Sequence, residues 1–229
     1  MNLFTRKTPD PRLDAYRQGT RRKWDKTAPV DATSFVVLDL ETTGFSIHED
    51  RILSIAALPL SGKRCRIEDL KSWIIYHSDA AVTPATEVHT ILPSESSRGI
   101  SEDAALLELL PLLEGAIIVG HHIQFDAAML NKALGHHFQG ELRNPLLDTA
   151  MLAMECIDSF HQTGYSKQQP PGLDEVCAYL GLPLWERHTA DGDTFGTAQL
   201  FLMLQARMQR KMKRRMVLRD LPLAHPRIL

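Results

Sequence analysis

An α/β domain built on a mixed β-sheet is the fold class this sequence predicts, and three observations predict it. Short β-branched and aromatic runs of strand length gather in the first third of the chain. Segments with helical apolar spacing then alternate with one further apolar run, AIIVG at 116–120. Strands collected first and then interleaved with helices give a sheet flanked by helices rather than a bundle or a sandwich. With 229 residues and 44% hydrophobic composition, the chain is long and apolar enough to bury the core of one domain.

The elements follow in order. Residues 1–33 are polar, basic and punctuated by proline, with Tyr16 and Trp24 as aromatic anchors, and read as an arm that is partly helical or poorly ordered. The main domain is expected over 34–204. Residues 35–40 (FVVLDL) and 51–60 (RILSIAALPL) read as two strands joined by the glycine-containing stretch TTGFSIHED, and 71–77 (KSWIIYH) as a third. Residues 83–97 form a Pro- and Ser-rich loop with one helical turn. Ser101 then caps a helix carrying Glu102 and Asp103 in its first turn and Ala105, Leu106, Leu109 and Leu110 on its apolar face, with Pro111 ending or kinking it. After the strand at 116–120, residues 125–134 are helical up to Gly135, 148–156 are helical, and 172–180 form a short helix stopped by Gly181. The last helix is expected over 194–213. Residues 205–229 are a basic extension whose segment QARMQRKMKRR reads equally as a prolongation of that helix that docks a partner or nucleic acid and as a merely solvated helix.

Composition narrows the function classes. The N-terminus carries charge without an apolar h-region and no run of about 18 apolar residues exists, so neither a secretory signal nor a membrane span is predicted and a cytoplasmic location is expected. Cys65, Cys156 and Cys177 are odd in number and outside any CxxC spacing, which argues against a disulfide framework or a thiolate zinc site. The net charge of −2 hides an uneven distribution. Residues 1–30 carry five surplus positive charges and residues 205–229 carry seven, which leaves the intervening segment at −14. A core that acidic suits a polyanionic partner only if cations sit in it, whereas basic ends can hold phosphates by counterion release.

The acids fall in a pattern that cations explain. Asp39 and Glu41 stand at i and i+2 at the end of the first strand, so alternation projects both carboxylates from one face. Asp126 follows an apolar strand and lies at the start of a helix beside the sheet end. His188 and Asp193 are five residues apart, about 140° on one continuous helix, so one of them precedes the helix. The reading puts His188 on a mobile loop and Asp193 in the helix opening. Four converging carboxylates repel one another unless neutralised. Oxygen-only ligands suit Mg²⁺ or Mn²⁺, and two such ions about 3.5–4 Å apart stabilise the attacking and leaving oxygens of a phosphodiester displacement. A histidine with a pKa near 6.5 can take the proton of the attacking water at neutral pH.

At these residues the sequence resembles the DEDDh 3'-5' exonucleases, typified by the proofreading epsilon subunit of bacterial DNA polymerase III. The family's D-x-E-T-T-G motif stands as DLETTG at 39–44, its second motif as HHIQFD at 121–126, and its H-x-A-x-x-D motif as HTADGD at 188–193. The similarity spans roughly residues 35–204. It implies an RNase H-like fold with Asp39, Glu41, Asp126 and Asp193 as ligands of two divalent cations, Mg²⁺ or Mn²⁺, and His188 as general base. It also implies substrate contacts from Leu40, Thr42, Thr43, Gly44, His122 and Phe125. His122 departs from the pattern, which usually has Asn there, and this puts one hydrogen bond to substrate or ligand in question. The His121–His122 and His136–His137 pairs lack the i,i+4 spacing of a zinc site.

The implied activity is hydrolysis of nucleic acid, preferentially single-stranded DNA, from a free 3' end to nucleoside monophosphates, in proofreading or DNA repair, with a polymerase or repair partner met through the tails. RNA trimming or short-oligonucleotide clearance is the alternative. The oligoribonuclease branch usually carries Met where this chain has Thr42. A non-catalytic RNase H-like binding module is the alternative of another class.

Overall fold

β1 (Ser34–Thr42) lies at the centre of the sheet because both of its faces are apolar, and Phe35, Val36, Val37 and Leu38 are all buried. The computed structural model describes residues 10–21, 24–61, 64–78, 91, 93–161 and 169–226. β2 (Ile52–Ser61) pairs antiparallel with β1, and β3 (Arg64–Cys65) and β4 (Lys71–Ile74) both pair with β2. On its other edge β1 runs parallel to β5 (Ile117–Gly120), which runs parallel to β6 (Leu146–Asp148). β7 (Leu223–Ala224) closes that side antiparallel to β6, completing a mixed sheet of seven described strands.

Alternation along β1 divides the core. Val36, Leu38 and Leu40 pack with α3 (Glu102–Leu113) and α4 (Gln124–Phe138), following the short helices α1 (Pro11–Gly19) and α2 (Pro93–Ser96) in the chain. Phe35 and Val37 face α5 (Thr149–Cys156), α6 (Leu173–Leu180) and α7 (Ala190–Met212). Phe35 and Phe201 meet with ring centroids 5.0 Å apart, fixing α7 across the sheet. Because the faces alternate, Asp39 and Glu41 belong to the side that α7 covers.

The flanking segments are built into this core. Tyr16 on α1 is 1% exposed and its hydroxyl donates to Asn144 Oδ1 at 2.7 Å, while Asn144 donates to the carbonyls of Leu113 and Ala116. Gln205 is buried, and Met208 and Met212 pack on the domain's own core. Val30 N–H donates to Met216, Leu218 N–H to Ala28, and Arg215 pairs with Asp31, so the two flanks clasp each other. Among the described residues, no helix is long and apolar enough to cross a membrane, and the three cysteines are free thiols.

Several element boundaries differ from the sequence reading. The third strand stops at Ile74, because Ile75 forms only a single bridge, to Ile100. α3 runs through Pro111 to Leu113, since a proline so near the C-terminus removes a single bond from a helix whose leucines are buried. α4 passes Gly135 and ends three residues later, where Gln139 takes the left-handed conformation at φ 50° and Gly140 N–H donates to Leu134. Asp148 ends β6 and caps α5 by accepting from Ala150 N–H, rather than lying inside the helix. α7 begins at Ala190, four residues before the expected start, because Thr189 caps it. Most of the loop expected at 83–97 lies outside the described residues.

Candidate active site

The C-terminal end of β1 carries Asp39 and Glu41, and the register with β2 shifts there by one residue, Glu41 facing Ser54 and Thr42 facing Ile52, which leaves Leu53 of β2 as the extra residue of a bulge. The turn that follows is organised by Asp50, which accepts from the Thr43 hydroxyl at 2.6 Å and from Ser46 N–H at 2.8 Å. Those bonds hold the Asp50 carboxyl below the usual range. A Cβ on Gly44 would lie 2.6 Å from Asp50 Oδ2, so glycine is what lets the carboxylate reach across the turn. Phe45, next in sequence, is left 93% exposed, its ring 6.0 Å from that of Phe125.

Asp193 reaches the same place from α7. Thr189 caps the helix, its Oγ1 accepting from Gly192 N–H, and its own N–H and hydroxyl bond the Glu186 carbonyl. Glu186 and His188 both adopt positive φ, 49° and 62°. A Cβ on Gly192 would lie 2.2 Å from the Glu186 carbonyl oxygen and 2.5 Å from that of Trp185, so only glycine admits so close an approach. These contacts hold His188 in a turn just before α7, the place ahead of the helix that the sequence expected for it. His188 N–H donates to Asp193 Oδ2 at 3.3 Å, and Arg187 Nη1 donates to Asp193 Oδ1. Arg187 also grips Asp174 with two bonds of 2.7 Å, from Nε and Nη2.

Asp126, in the first turn of α4, is 8% exposed, and its Oδ1 accepts from Leu40 N–H at 3.1 Å. That bond ties α4 to the strand residue between Asp39 and Glu41. His121 is fully engaged, by the Thr149 hydroxyl at 2.8 Å and the Pro171 carbonyl at 2.9 Å, and burial pulls its pKa down to about 4, which leaves it neutral and without a free nitrogen for a metal. His122 takes φ 59° and donates its N–H to Asp148. Left-handed backbone is tolerated best by Gly, Asn, Asp and His, so the conformation itself accounts for His where the family pattern has Asn.

One carboxylate oxygen each from Asp39, Glu41 and Asp193 lie within 4.8 Å of one another. The protein resists ionising this group. Burial, then repulsion from Asp126, Asp193 and Glu41, lifts the Asp39 carboxyl well above its usual range. Burial and then Asp193 raise Glu41 to about 7, and burial raises Asp126 to about 7 against the pull of its backbone hydrogen bonds. An all-oxygen donor set that is costly to charge suits hard divalent cations.

The structure therefore brings Asp39, Glu41 and Asp193 into one cluster, with Asp126 behind them and turned toward Leu40. His188 joins through its backbone N–H, and the residue is exposed. Thr42, Thr43 and Gly44 continue the chain from Glu41, the Thr42 hydroxyl donating to the Gly44 carbonyl, while Phe125 precedes Asp126 and His122 stands exposed at the opening of α4. Arg187, Asp174, Asp50 and Phe45 are neighbours that sequence reasoning passed over. Arg187 had a signal in its adjacency to His188. Asp174, 13 residues away on another helix, had none.

An exonuclease family model matches residues 36–201. The chain is 31% identical over 182 residues to a DNA polymerase III subunit epsilon-like protein of Rhodobacter capsulatus, covering 77% of this chain and 24% of that one. It is 33% identical over 182 residues to a PolC-type DNA polymerase III of Thermotoga maritima, covering 79% and 12%. The chain thus spans about a quarter or less of the curated relatives it matches. Among solved structures, E. coli exonuclease I in complex with a dT13 oligonucleotide superposes with a TM-score of 0.62 at 18% identity, over 79% of this chain and 43% of that one. Cell-death related nuclease 4 superposes with a TM-score of 0.62 at 11% identity, over 77% and 64%. Both likenesses are of fold.

Proposed function

This chain belongs to the DEDDh 3'-5' exonuclease family and has its RNase H-like fold, and from that premise we propose that it hydrolyses single-stranded DNA from the 3' end with two divalent cations and a histidine base. The observation that carries the proposal is the convergence of three carboxylates within 4.8 Å, from β1 and α7, with a fourth on α4 beside them. Mg²⁺ or Mn²⁺ would be held by Asp39, Glu41, Asp126 and Asp193, and would stabilise charge on the attacking and leaving oxygens of the ester.

The chain's own groups have separate tasks. His188 accepts one proton of the attacking water, whose oxygen forms the new bond to phosphorus. The bond from phosphorus to the 3' oxygen of the penultimate nucleotide breaks, that oxygen gains a proton from solvent, and a nucleoside 5'-monophosphate leaves. The pinned turn at 186–189 sets where the imidazole can stand. Phe45 and Phe125 offer ring faces to the terminal bases, a contact that tolerates any base. Thr42, Thr43, Gly44 and His122 would line the approach to the acids, whereas Leu40, expected there from sequence, is buried in the core on the other face of β1 with its N–H bonded to Asp126.

Single-stranded DNA is favoured over RNA by the epsilon-like and PolC-type relatives and by a structural neighbour solved with a dT13 oligonucleotide. The flanking basic residues are the place where a polymerase or repair partner would dock. A labelled single DNA strand and its RNA twin, incubated with Mn²⁺ and the parent or Asp39→Ala chain, test the reading. Mononucleotide release from DNA by the parent alone supports it. Equal and Asp39-independent decay of both strands, or none, refutes it.

A further inference from the structure

We propose that Arg187 is a resident counter-cation of the acidic pocket, bound to Asp193 while divalent ions are absent and carried by Asp174 when they bind. This rests on the assignment of the pocket as a divalent-cation site. Both oxygens of Asp193 are already taken, Oδ1 by the Arg187 guanidinium and Oδ2 by the His188 backbone N–H. Each oxygen keeps a further lone pair for an ion, so the neutral backbone donor can stay, but the guanidinium places a positive charge where a cation would bind. The backbone donor sits in a turn held by positive φ at Glu186 and His188 and by the close approach over Gly192. The arginine side chain is the part free to move.

Asp174 is what makes that movement inexpensive. Its fork with Arg187 uses Nε and Nη2 at 2.7 Å each and leaves Nη1 for Asp193, so Arg187 can release Asp193 without losing its ion pair. The charges also balance. The Arg187–Asp174 pair is neutral by itself, and the four remaining carboxylates match two doubly charged ions. Without Asp174, the guanidinium would have Asp193 as its one carboxylate partner and would compete with the ions for it.

The two residues should therefore shift metal affinity in opposite directions. Mn²⁺ binding to the full chain, without nucleic acid, is measured by calorimetry or by loss of the free-ion electron paramagnetic resonance signal, alongside melting in chelator. Arg187→Gln is expected to bind Mn²⁺ about tenfold tighter, the scale of removing one nearby unit charge, and to melt lower than the parent in chelator. Asp174→Asn is expected to bind several-fold more weakly, and the double variant to behave like Arg187→Gln. Arg187→Met, which removes the same charge, is expected to tighten Mn²⁺ binding as Arg187→Gln does and serves if the glutamine variant folds poorly. Binding by the parent with Arg187→Gln unchanged or weaker overturns this proposal alone. Absence of Mn²⁺ binding by the parent overturns the pocket assignment and this proposal with it.

Discussion

The Asp126 carboxylate accepts the backbone N–H of Leu40 at 3.1 Å, so an acid on α4 is bonded to the strand residue standing between Asp39 and Glu41. Asp126 thus has two separable duties, one as a hydrogen-bond acceptor and one as a negative charge. Asn keeps the acceptor oxygen and loses the charge, whereas Ala loses both. Asp126→Asn is expected to melt at or above the parent in chelator and to lose at least about a hundredfold in activity, since even residues one step removed from a metal cost 10- to 100-fold. Asp126→Ala should lose the activity and also about 1–3 kcal/mol of stability, for a buried N–H left unpaired. Equal melting of the two variants would show that the Leu40 bond contributes nothing.

The same charge sets a pH dependence. Asp39, Glu41 and Asp126 bind protons more tightly in the folded chain than in the unfolded one, so their contribution is fully present below about pH 4 and is lost as pH rises, for Glu41 and Asp126 through about 7. His121, pulled down to about 4, works in the opposite direction over the same range, and Asp174 and Asp220, held low, act below it. The diagnostic is therefore a difference. In chelator, the parent should lose several degrees of melting temperature relative to Asp126→Asn between pH 4.5 and 7.5, on the order of 1 kcal/mol per 2–4 °C. Saturating Mn²⁺ should abolish that loss. Parallel curves for parent and variant would contradict the raised carboxyls.

Gly192→Ala tests the turn that carries His188. Alanine normally favours a helix by about 1 kcal/mol, but here its Cβ would meet the Glu186 carbonyl at 2.2 Å and push the turn aside. A displacement near 1 Å can cost about a hundredfold in rate, so kcat should fall on that scale. Unaltered kcat would mean that the position of His188 is unimportant.

Phe45→Ala should spare the fold, because a side chain 93% exposed contributes little by burial. Loss of one stacking face costs about 1–3 kcal/mol per base, which raises KM for a single-stranded oligonucleotide roughly five- to a hundredfold. A steady KM would place the terminal bases elsewhere.

Much of the site was legible because its geometry follows from local rules. Period-two alternation put Asp39 and Glu41 on one face, and the need for one member of the His188–Asp193 pair to precede a helix located the helix opening. The contact of Arg187 with Asp174 was hidden, since it joins a turn to a separate helix and leaves no spacing pattern. Gly135 read as a stop although Ala133 and Leu134 are buried in the core, and tertiary packing carried the helix past it to Gln139. β7 could not be foreseen from two residues, Leu223 and Ala224, whose only mark is their pairing with β6.

That pairing has a consequence for anyone trimming the chain. Residues 223–224 cover the outer N–H and C=O groups of Leu146 and Leu147, which are themselves wholly buried. A version ending at 204 would present that apolar strand as a bare template to other copies, with the anchors Met216, Leu218 and Leu221 gone as well. Such a version is expected to self-associate and precipitate even with every acidic residue of the pocket intact.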